Sequence, residues 1–222
     1  MIRRILSGIC VALAVAFIVI LAQPATTVAQ EVSVIPTASY MWGGSAQAIN
    51  GRIDLGNGLG YGAIIDVAQS QNVHFQISWA SFPATATFSP DYPNGATSEL
   101  VGLNEKINVH YFQVGGIHQV KKGKAEPFAG MLLGAVLFHP EDMKVSGISV
   151  EDVWRFAMTF VGGINFPMSE KVGLRLQGRL FLPIYFSGAY VGVGTGGASV
   201  GATGGIPIVQ GDIGLGLCIK IK

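Results

Sequence analysis

Residues 172–186 have the sequence VGLRLQGRLFLPIYF. Apolar side chains occupy every second position, apart from a gap at Gly178, and the positions between them hold residues such as Arg175, Gln177 and Arg179. A repeat of two residues is typical of a β-strand, because successive side chains of a strand point to opposite faces of the sheet. The stretch therefore predicts a strand with one apolar face and one largely polar face.

Seven further segments predict strands. Four of them show the alternation clearly and three less regularly; in chain order the segments are residues 32–42, 59–67, 73–79, 107–119, 127–138, 154–166 and 209–222. Strands of about 9–11 residues can cross a bilayer at a tilt, and most of these segments reach that length. The chain is thus predicted to contain eight strands.

The connections between the predicted strands alternate strictly between long and short. The short ones are residues 69–72, 120–126 and 167–171, and the long ones are residues 43–58, 89–105, 139–152 and 187–207. If the strands run up and down in chain order, all short turns lie at one end and all long loops at the other, as in outer-membrane barrels. We therefore predict an all-β fold, an eight-stranded antiparallel up-and-down transmembrane β-barrel with four mobile outer loops.

The composition indicates which face of the strands points outward. Hydrophobic residues make up 50% of the 222 residues and charged residues 12%, about half of the roughly 25% typical of soluble domains. Because so few charges cannot coat a soluble exterior, the apolar face is expected to contact lipid. A soluble ligand carrier with its apolar face inside is the rival interpretation. The net charge of +1 disfavours nucleic acid as a partner, since neutralising phosphates requires a basic excess.

Residues 1–29 are expected to be a signal peptide and residues 30–222 the barrel domain. Arg3 and Arg4 precede an apolar run over residues 5–22, and small and polar residues follow it. These are the features of a secretory signal peptide, and we place cleavage after Ala29. The run exceeds the usual length of about 7–15 residues, so an uncleaved anchor helix is the alternative. The rest of the chain has no apolar stretch near the roughly 20 residues of a membrane helix, so it can cross a bilayer only with strands.

The two faces of the strands supply the candidate site residues. The apolar face has aliphatic side chains along its middle and aromatic ones near its ends, as in a lipid-facing band with interfacial girdles. The predicted lipid-facing and interfacial residues are Trp154, Phe160, Phe166, Leu174, Leu176, Leu180, Phe186, Ile213, Leu215 and Leu217. The predicted polar network of the barrel interior consists of Asp66, Arg155, Arg175, Arg179, Asp212 and Lys220. An eight-stranded barrel can be filled by its own side chains, so we expect a packed polar core of Arg–carboxylate pairs; a narrow ion path is the alternative.

Two short segments carry a resemblance to a known family. Residues 40–44 (YMWGG) and 60–66 (GYGAIID) resemble the start of bacterial OmpA-like outer-membrane β-barrel domains. Residues 127–134 (PFAGMLLG) and 172–179 (VGLRLQGR) are similar to the fifth and seventh strands of that group. The resemblance extends over essentially the whole chain after the signal peptide and implies a barrel without catalytic residues. Such barrels commonly end in an aromatic residue that the assembly machinery recognises, whereas this sequence ends in CIKIK.

No motif predicts catalysis, a metal site or a cofactor. The histidines after the signal peptide lie in no compact pattern with a serine that they could activate as a nucleophile; they are His74, His110, His118 and His139. An acidic set in the third long loop is expected to be solvated, and divalent-cation binding is its alternative; its members are His139, Glu141, Asp142, Glu151 and Asp152. Residues 192–197 match the spacing Gly-x-Gly-x-x-Gly, but the helix that a dinucleotide site requires does not follow, so we predict a mobile outer loop.

The sequence favours a monomeric, integral outer-membrane protein of a Gram-negative-type bacterium, exported by its signal peptide. Its expected role is structural, in the envelope or in surface interaction, without catalysis. Its expected partners are outer-membrane lipid, lipopolysaccharide and, during biogenesis, the barrel assembly machinery. The alternatives are a small conduit for ions or hydrophobic molecules, a lipid-modifying enzyme and a soluble periplasmic ligand carrier.

Overall fold

All regular secondary structure in the described part of the chain is β-strand. The computed structural model describes residues 31–48, 51–90, 104–121, 123–141, 144–145, 148–149, 152–194, 197–205 and 209–221. Within these ranges, no helix is long and apolar enough to cross a membrane, a finding that concerns helices alone. The predicted signal peptide lies outside the described residues.

Eight long strands form the barrel wall, and five shorter strands lie in the connections between them. In chain order the strands are β1 (Val32–Trp42), β2 (Ser45–Ala48), β3 (Gly51–Leu55), β4 (Gly58–Ala68), β5 (Val73–Pro90), β6 (Asn104–Gln119), β7 (Glu126–Pro140), β8 (Lys144–Val145), β9 (Ile148–Ser149), β10 (Val153–Pro167), β11 (Val172–Gly194), β12 (Gly197–Gly205) and β13 (Gln210–Lys220). The wall consists of β1, β4, β5, β6, β7, β10, β11 and β13.

The wall is a closed sheet in which every neighbouring pair is antiparallel. Each wall strand pairs with the next wall strand in the chain, as in the register of Asn165 with Arg175 between β10 and β11. The sheet closes because β1 also pairs with β13, with Tyr40 opposite Ile213. The predicted eight-stranded antiparallel barrel is therefore confirmed.

The strands extend further than the side-chain pattern predicts. β5 continues past Trp79 to Pro90, paired along that length with β3 and β6. β11 continues to Gly194 and pairs with β12 as a hairpin, so the prediction of a loop over residues 187–207 is wrong where those residues are described. The long connections at residues 43–58 and 139–152 likewise contain the hairpins β2–β3 and β8–β9. Backbone hydrogen bonds between paired strands hold these extensions together. Such bonds form without alternating apolar side chains, so the side-chain pattern does not predict the extensions.

The short turns connect neighbouring strands at the opposite end of the barrel. Within the turn between β6 and β7, Gly123 has a φ of 63°. Glycine is favoured at this position because other L-residues are strained in the left-handed region. Both ends of the described chain also lie here, since Ala68 N donates to Glu31 O and Ile221 N donates to Val32 O.

The outer surface of the wall is apolar. Nine of the ten residues predicted to face lipid are exposed in the structure; they are Trp154, Phe160, Phe166, Leu174, Leu176, Leu180, Ile213, Leu215 and Leu217. The tenth, Phe186, lies in β11, and its side chain is not among those described. Aromatic pairs occur on the same surface, including Tyr40 with Trp42 and Phe112 with Trp154. A continuous apolar exterior of this kind marks a surface that contacts something other than water.

Cysteine labelling tests the assignment of faces on neighbouring residues of β11. Leu176 is 39% exposed and Gln177 is 1% exposed. We expect a lipid-soluble maleimide to label Leu176→Cys at least about tenfold faster than Gln177→Cys in bilayers, because only the first side chain faces the surroundings. The native cysteines are removed with Cys10→Ala and Cys218→Ser. Equal labelling rates in the two variants would contradict the assignment.

Candidate functional site in the barrel interior

The interior half that lies towards the long connections is apolar. Phe82, Tyr111 and Phe181, from three different strands, meet there and form what we call the aromatic plug. The ring centroid of Phe181 lies 4.3 Å from that of Tyr111 and 5.7 Å from that of Phe82. Other buried side chains surround the plug; among them are Met41, Ala80, Val109, Val136 and Ala157. The expected packed polar core is therefore wrong for this half of the barrel.

A buried ion pair lies next to the plug. Arg179 and Asp212 are opposite each other on β11 and β13, and both side chains are almost fully buried. The Arg179 guanidinium donates to both carboxylate oxygens, with Nε 3.1 Å from Oδ1 and 3.2 Å from Oδ2 and with Nη2 donating to Oδ2. The guanidinium carbon also lies 5.0 Å from the Phe181 ring centroid. Arg179 and Phe181 are successive inward residues of β11, so the pair and the plug lie at adjacent levels of the barrel.

A second polar cluster is centred on Asp66, nearer the short turns. His74 Nδ1 lies 2.6 Å from Asp66 Oδ1, and Gln76 Nε2 donates to Asp66 Oδ2. The backbone explains this arrangement, because Asp66 and Gln76 are register partners on β4 and β5 and His74 lies two residues from Gln76 on the same face. Arg175 Nη1 lies 3.9 Å from Asp66 Oδ2, beyond hydrogen-bonding distance.

Among the residues whose burial is described, Arg175 is the largest fully buried side chain, with 0% exposure. Its Nε donates to Gln177 Oε1 at 2.9 Å, and its guanidinium carbon lies 3.8 Å from the ring centroid of Phe128. Gly163 leaves the space for that ring, since a Cβ there would lie 2.7 Å from Phe128 Cζ. Among the described residues, no hydrogen-bond partner lies within reach of Nη1 or Nη2 of Arg175.

A cavity of about 70 Å³ connects this cluster with the short-turn end of the barrel. Arg175, Asp66 and His74 line its inner part, and residues of the short turns, such as Ser70 and Ser169, line its mouth. Cys218 also lines it. The cavity is thus a polar chamber that is reached from the short-turn end.

The structure places the six predicted interior residues in three settings. Asp66, Arg175, Arg179 and Asp212 are buried inside the barrel. They form two separate clusters instead of one network, because Arg175 and Arg179 lie two inward positions apart on β11, with Gln177 between them, and so at different heights. Lys220 lies at the short-turn rim, partly exposed, and its Nζ is 2.7 Å from Glu31 Oε1.

Arg155 corrects the sequence interpretation. It shares the inward face of β10 with Ala157 and Thr159, yet its side chain is exposed, and Nη1 donates to the carbonyl oxygen of Trp154 at 2.8 Å. It lies near the start of β10, two residues before the buried Ala157 and next to a long connection. Periodicity assigns a backbone position to a face, and a long side chain near the end of a strand can still extend to the surface.

Several polar residues of the interior were not singled out in the sequence. Gln76, Gln177 and Gln210 are each at most 1% exposed, and Gln210 Oε1 accepts a hydrogen bond from the Tyr111 hydroxyl. The signal was available for Gln76, because the alternation over residues 73–79 places it inward. The predicted interior network contains only charged residues, so the uncharged amides on the same face are not part of it.

The acidic set of the third long connection is only partly described. His139 Nδ1 lies 2.6 Å from Asp152 Oδ1, and both side chains are about half exposed. Asn108 Nδ2 donates to Glu141 Oε1 at 2.6 Å. Asp142 and Glu151 lie outside the described residues. Among the residues that are described, no group of three or more metal-binding side chains is present.

Comparison with known proteins places the fold. No protein-family model matches the chain, and no curated protein sequence matches it significantly. Among solved structures, it is similar to the outer-membrane protein OprG from Pseudomonas aeruginosa, with a TM-score of 0.59 and 10% identity over 85% of this chain and 96% of that chain. It is also similar to the outer-membrane protein AlkL in lipid bilayers, with a TM-score of 0.53 and 15% identity over 90% and 95% of the two chains. Neisserial surface protein A has a TM-score of 0.51 and 12% identity over 86% and 97%.

These likenesses concern the fold. At 10–15% identity they show that the chain has the eight-stranded barrel of outer-membrane proteins. The resemblance to the OmpA-like family in particular stays a prediction.

Proposed function

We propose that this chain is an integral outer-membrane protein with a structural role in the envelope or in surface interaction, without catalysis of its own. The membrane location is supported by the apolar exterior and by the fold shared with outer-membrane barrels. In that location the short turns face the periplasm and the long connections face outward. Lipid, lipopolysaccharide and, during biogenesis, the barrel assembly machinery are its proposed partners, and the barrel is proposed to act as a monomer.

The observation that carries the structural role is the occlusion of the interior. Along β11, the inward positions from the short turn upward are Arg175, Gln177, Arg179 and Phe181, and each is at most 5% exposed. The Arg179–Asp212 pair and the aromatic plug follow one another at adjacent levels. An interior filled in this way supports a barrel that does not conduct ions. It disfavours the alternative of an ion conduit.

The surroundings of the two histidine–carboxylate pairs support the proposal that the protein has no catalysis of its own. His74 pairs with Asp66, and His139 pairs with Asp152. A hydrolase of the serine or cysteine class needs a hydroxyl or thiol within hydrogen-bond reach of the imidazole. In the described part of the chain, neither imidazole is hydrogen-bonded to a hydroxyl or thiol. Mass spectrometry of lipid A from cells with and without the protein tests the alternative of a lipid-modifying enzyme.

Location is tested by membrane fractionation followed by gel migration with and without boiling. We expect the protein in the detergent-extracted outer-membrane fraction, with a mobility that changes on boiling because the folded barrel resists the detergent. Recovery without detergent, with one unchanged band, would indicate the soluble carrier instead.

Planar-bilayer recording tests the occlusion. We expect no stepped currents from the wild-type protein, because the buried ion pair and the plug fill much of the described interior of an eight-stranded barrel. The heat-dependent gel shift of the same preparation serves as the control for folding. Reproducible unitary currents from folded protein would favour the conduit.

A further inference from the structure

The buried guanidinium of Arg175 has donors that no described residue satisfies. Five buried side-chain atoms have no hydrogen-bond partner among the described residues, and three of them can only donate: Nη1 and Nη2 of Arg175 and Nε2 of Gln177. The other two atoms are Oε1 of Gln76 and Oγ1 of Thr159. Buried polar groups, charged ones above all, are costly unless they are hydrogen-bonded. This concentration of unpaired donors therefore calls for an acceptor.

Protein groups near Arg175 do not supply that acceptor. Asp66 is the nearest carboxylate, but its Oδ2 lies 3.9 Å from Nη1, beyond hydrogen-bonding distance. The Phe128 ring lies over the face of the guanidinium, and Nε is used by Gln177. What remains is the outer edge with its two nitrogens, a fork that matches an anion in geometry and charge.

The edge can be reached from one side only. Arg175 lines the 70 Å³ cavity that extends to the short turns. Towards the long connections, Arg179, Asp212 and the aromatic plug fill the barrel. A water molecule needs about 10–15 Å³ of such space, so the chamber has room for a few waters or one small anion.

The charged side chains around the chamber are balanced in number. Arg175 faces Asp66, which is bonded to His74. At the mouth, Lys220 pairs with Glu31, Glu126 accepts from Gln119, and Lys121 completes the lining. The cationic and carboxylate side chains are therefore equal in number. At the inner end, the unpaired donors of Arg175 favour the binding of an anion.

We propose that Arg175 binds a small monovalent anion, of the size of a halide or formate, which enters from the short-turn end of the barrel. The anion accepts hydrogen bonds from Nη1 and Nη2 of Arg175. The site does not depend on the envelope role proposed above, because it is built from the interior of the folded barrel alone.

Thermal unfolding of the full protein in detergent micelles, with bromide as the probe, tests the site in solution. At equal ionic strength we expect sodium bromide to raise the midpoint by about 3–5 °C relative to sodium gluconate, since a ligand that binds the folded state alone stabilises it. Gluconate is the matched control because it is monovalent and much larger than bromide. Identical midpoints in the two salts would overturn the proposal.

Two variants locate the effect. Gln177→Glu places a carboxylate beside Arg175, so we expect it to fold without bromide and to lose the bromide dependence. Arg155→Gln removes an exposed arginine outside the chamber, and we expect it to keep the full bromide shift. A shift retained in Gln177→Glu, or lost in Arg155→Gln, would contradict the assignment.

Anomalous diffraction from crystals grown in bromide gives the position. We expect a bromide peak at hydrogen-bonding distance from the two terminal nitrogens of Arg175. Density that scatters only as water at that position would overturn the proposal. A peak in the crystal without a shift in solution would mean binding at crystal concentration only, which would also overturn it.

Discussion

Asp212→Ala is expected to lower the free energy of unfolding by about 3–5 kcal/mol, because removing one member of a buried ion pair leaves the other charge uncompensated. The Arg179 side chain is 2% exposed and that of Asp212 is 0% exposed, so water cannot replace the lost carboxylate. Urea unfolding of the lipid-reconstituted protein, followed by tryptophan fluorescence, measures the change.

Two variants make this expectation specific to the buried pair. The double variant Arg179→Met with Asp212→Leu removes both charges, and we expect it to lie within about 1 kcal/mol of the wild type or to be more stable. Lys220→Met breaks the partly exposed pair with Glu31, and we expect a loss of about 0–1 kcal/mol. If Asp212→Ala costs no more than Lys220→Met, the pair does not stabilise the barrel as described.

Leu215→Arg is expected to lower the free energy of unfolding in a bilayer by about 2–4 kcal/mol, the cost of a basic side chain on the lipid face near the membrane midplane. Leu215 is the central residue of β13 and is 53% exposed on the outer wall. Its register partners are Leu176 on β11 and Ala38 on β1. Urea unfolding in lipid vesicles measures the cost.

Ile221→Arg is the matched control. Ile221 follows β13 at the short-turn rim and is 67% exposed, so a basic side chain there should cost about 0–1 kcal/mol. If both variants are as stable as the wild type, the outer wall contacts water, and the proposed membrane location is wrong.

The wall of the barrel could be predicted because its cause is local. In residues 172–186 every second side chain meets the same surroundings, so Leu174 and Leu176 are exposed while Arg175 is buried. Composition then decides between lipid and water outside. Neither step requires knowing which strands meet across the barrel.

The interior could be predicted only in part, because its contacts join distant positions. Phe82, Tyr111 and Phe181 come from β5, β6 and β11, and no local pattern indicates that their rings meet. Residues 187–205 contain mainly glycine, alanine, serine and valine. These residues pair in β11 and β12 through backbone hydrogen bonds. A hydropathy pattern contains only side-chain information and therefore does not predict this pairing.

The junction between β1 and β13 determines when the barrel can be completed. Every other junction joins two wall strands that are consecutive in the order of the wall along the chain. This junction instead joins the first wall strand to the last and pairs Ser33 with Lys220. Contacts between positions so far apart in sequence form slowly, because the chain loses conformational entropy before the contacts can stabilise it. Until β13 arrives, β1 and β11 each present an open edge able to recruit a foreign strand. The unfinished barrel is therefore most exposed to pairing with a foreign strand in the interval before β13 pairs with β1 and β11.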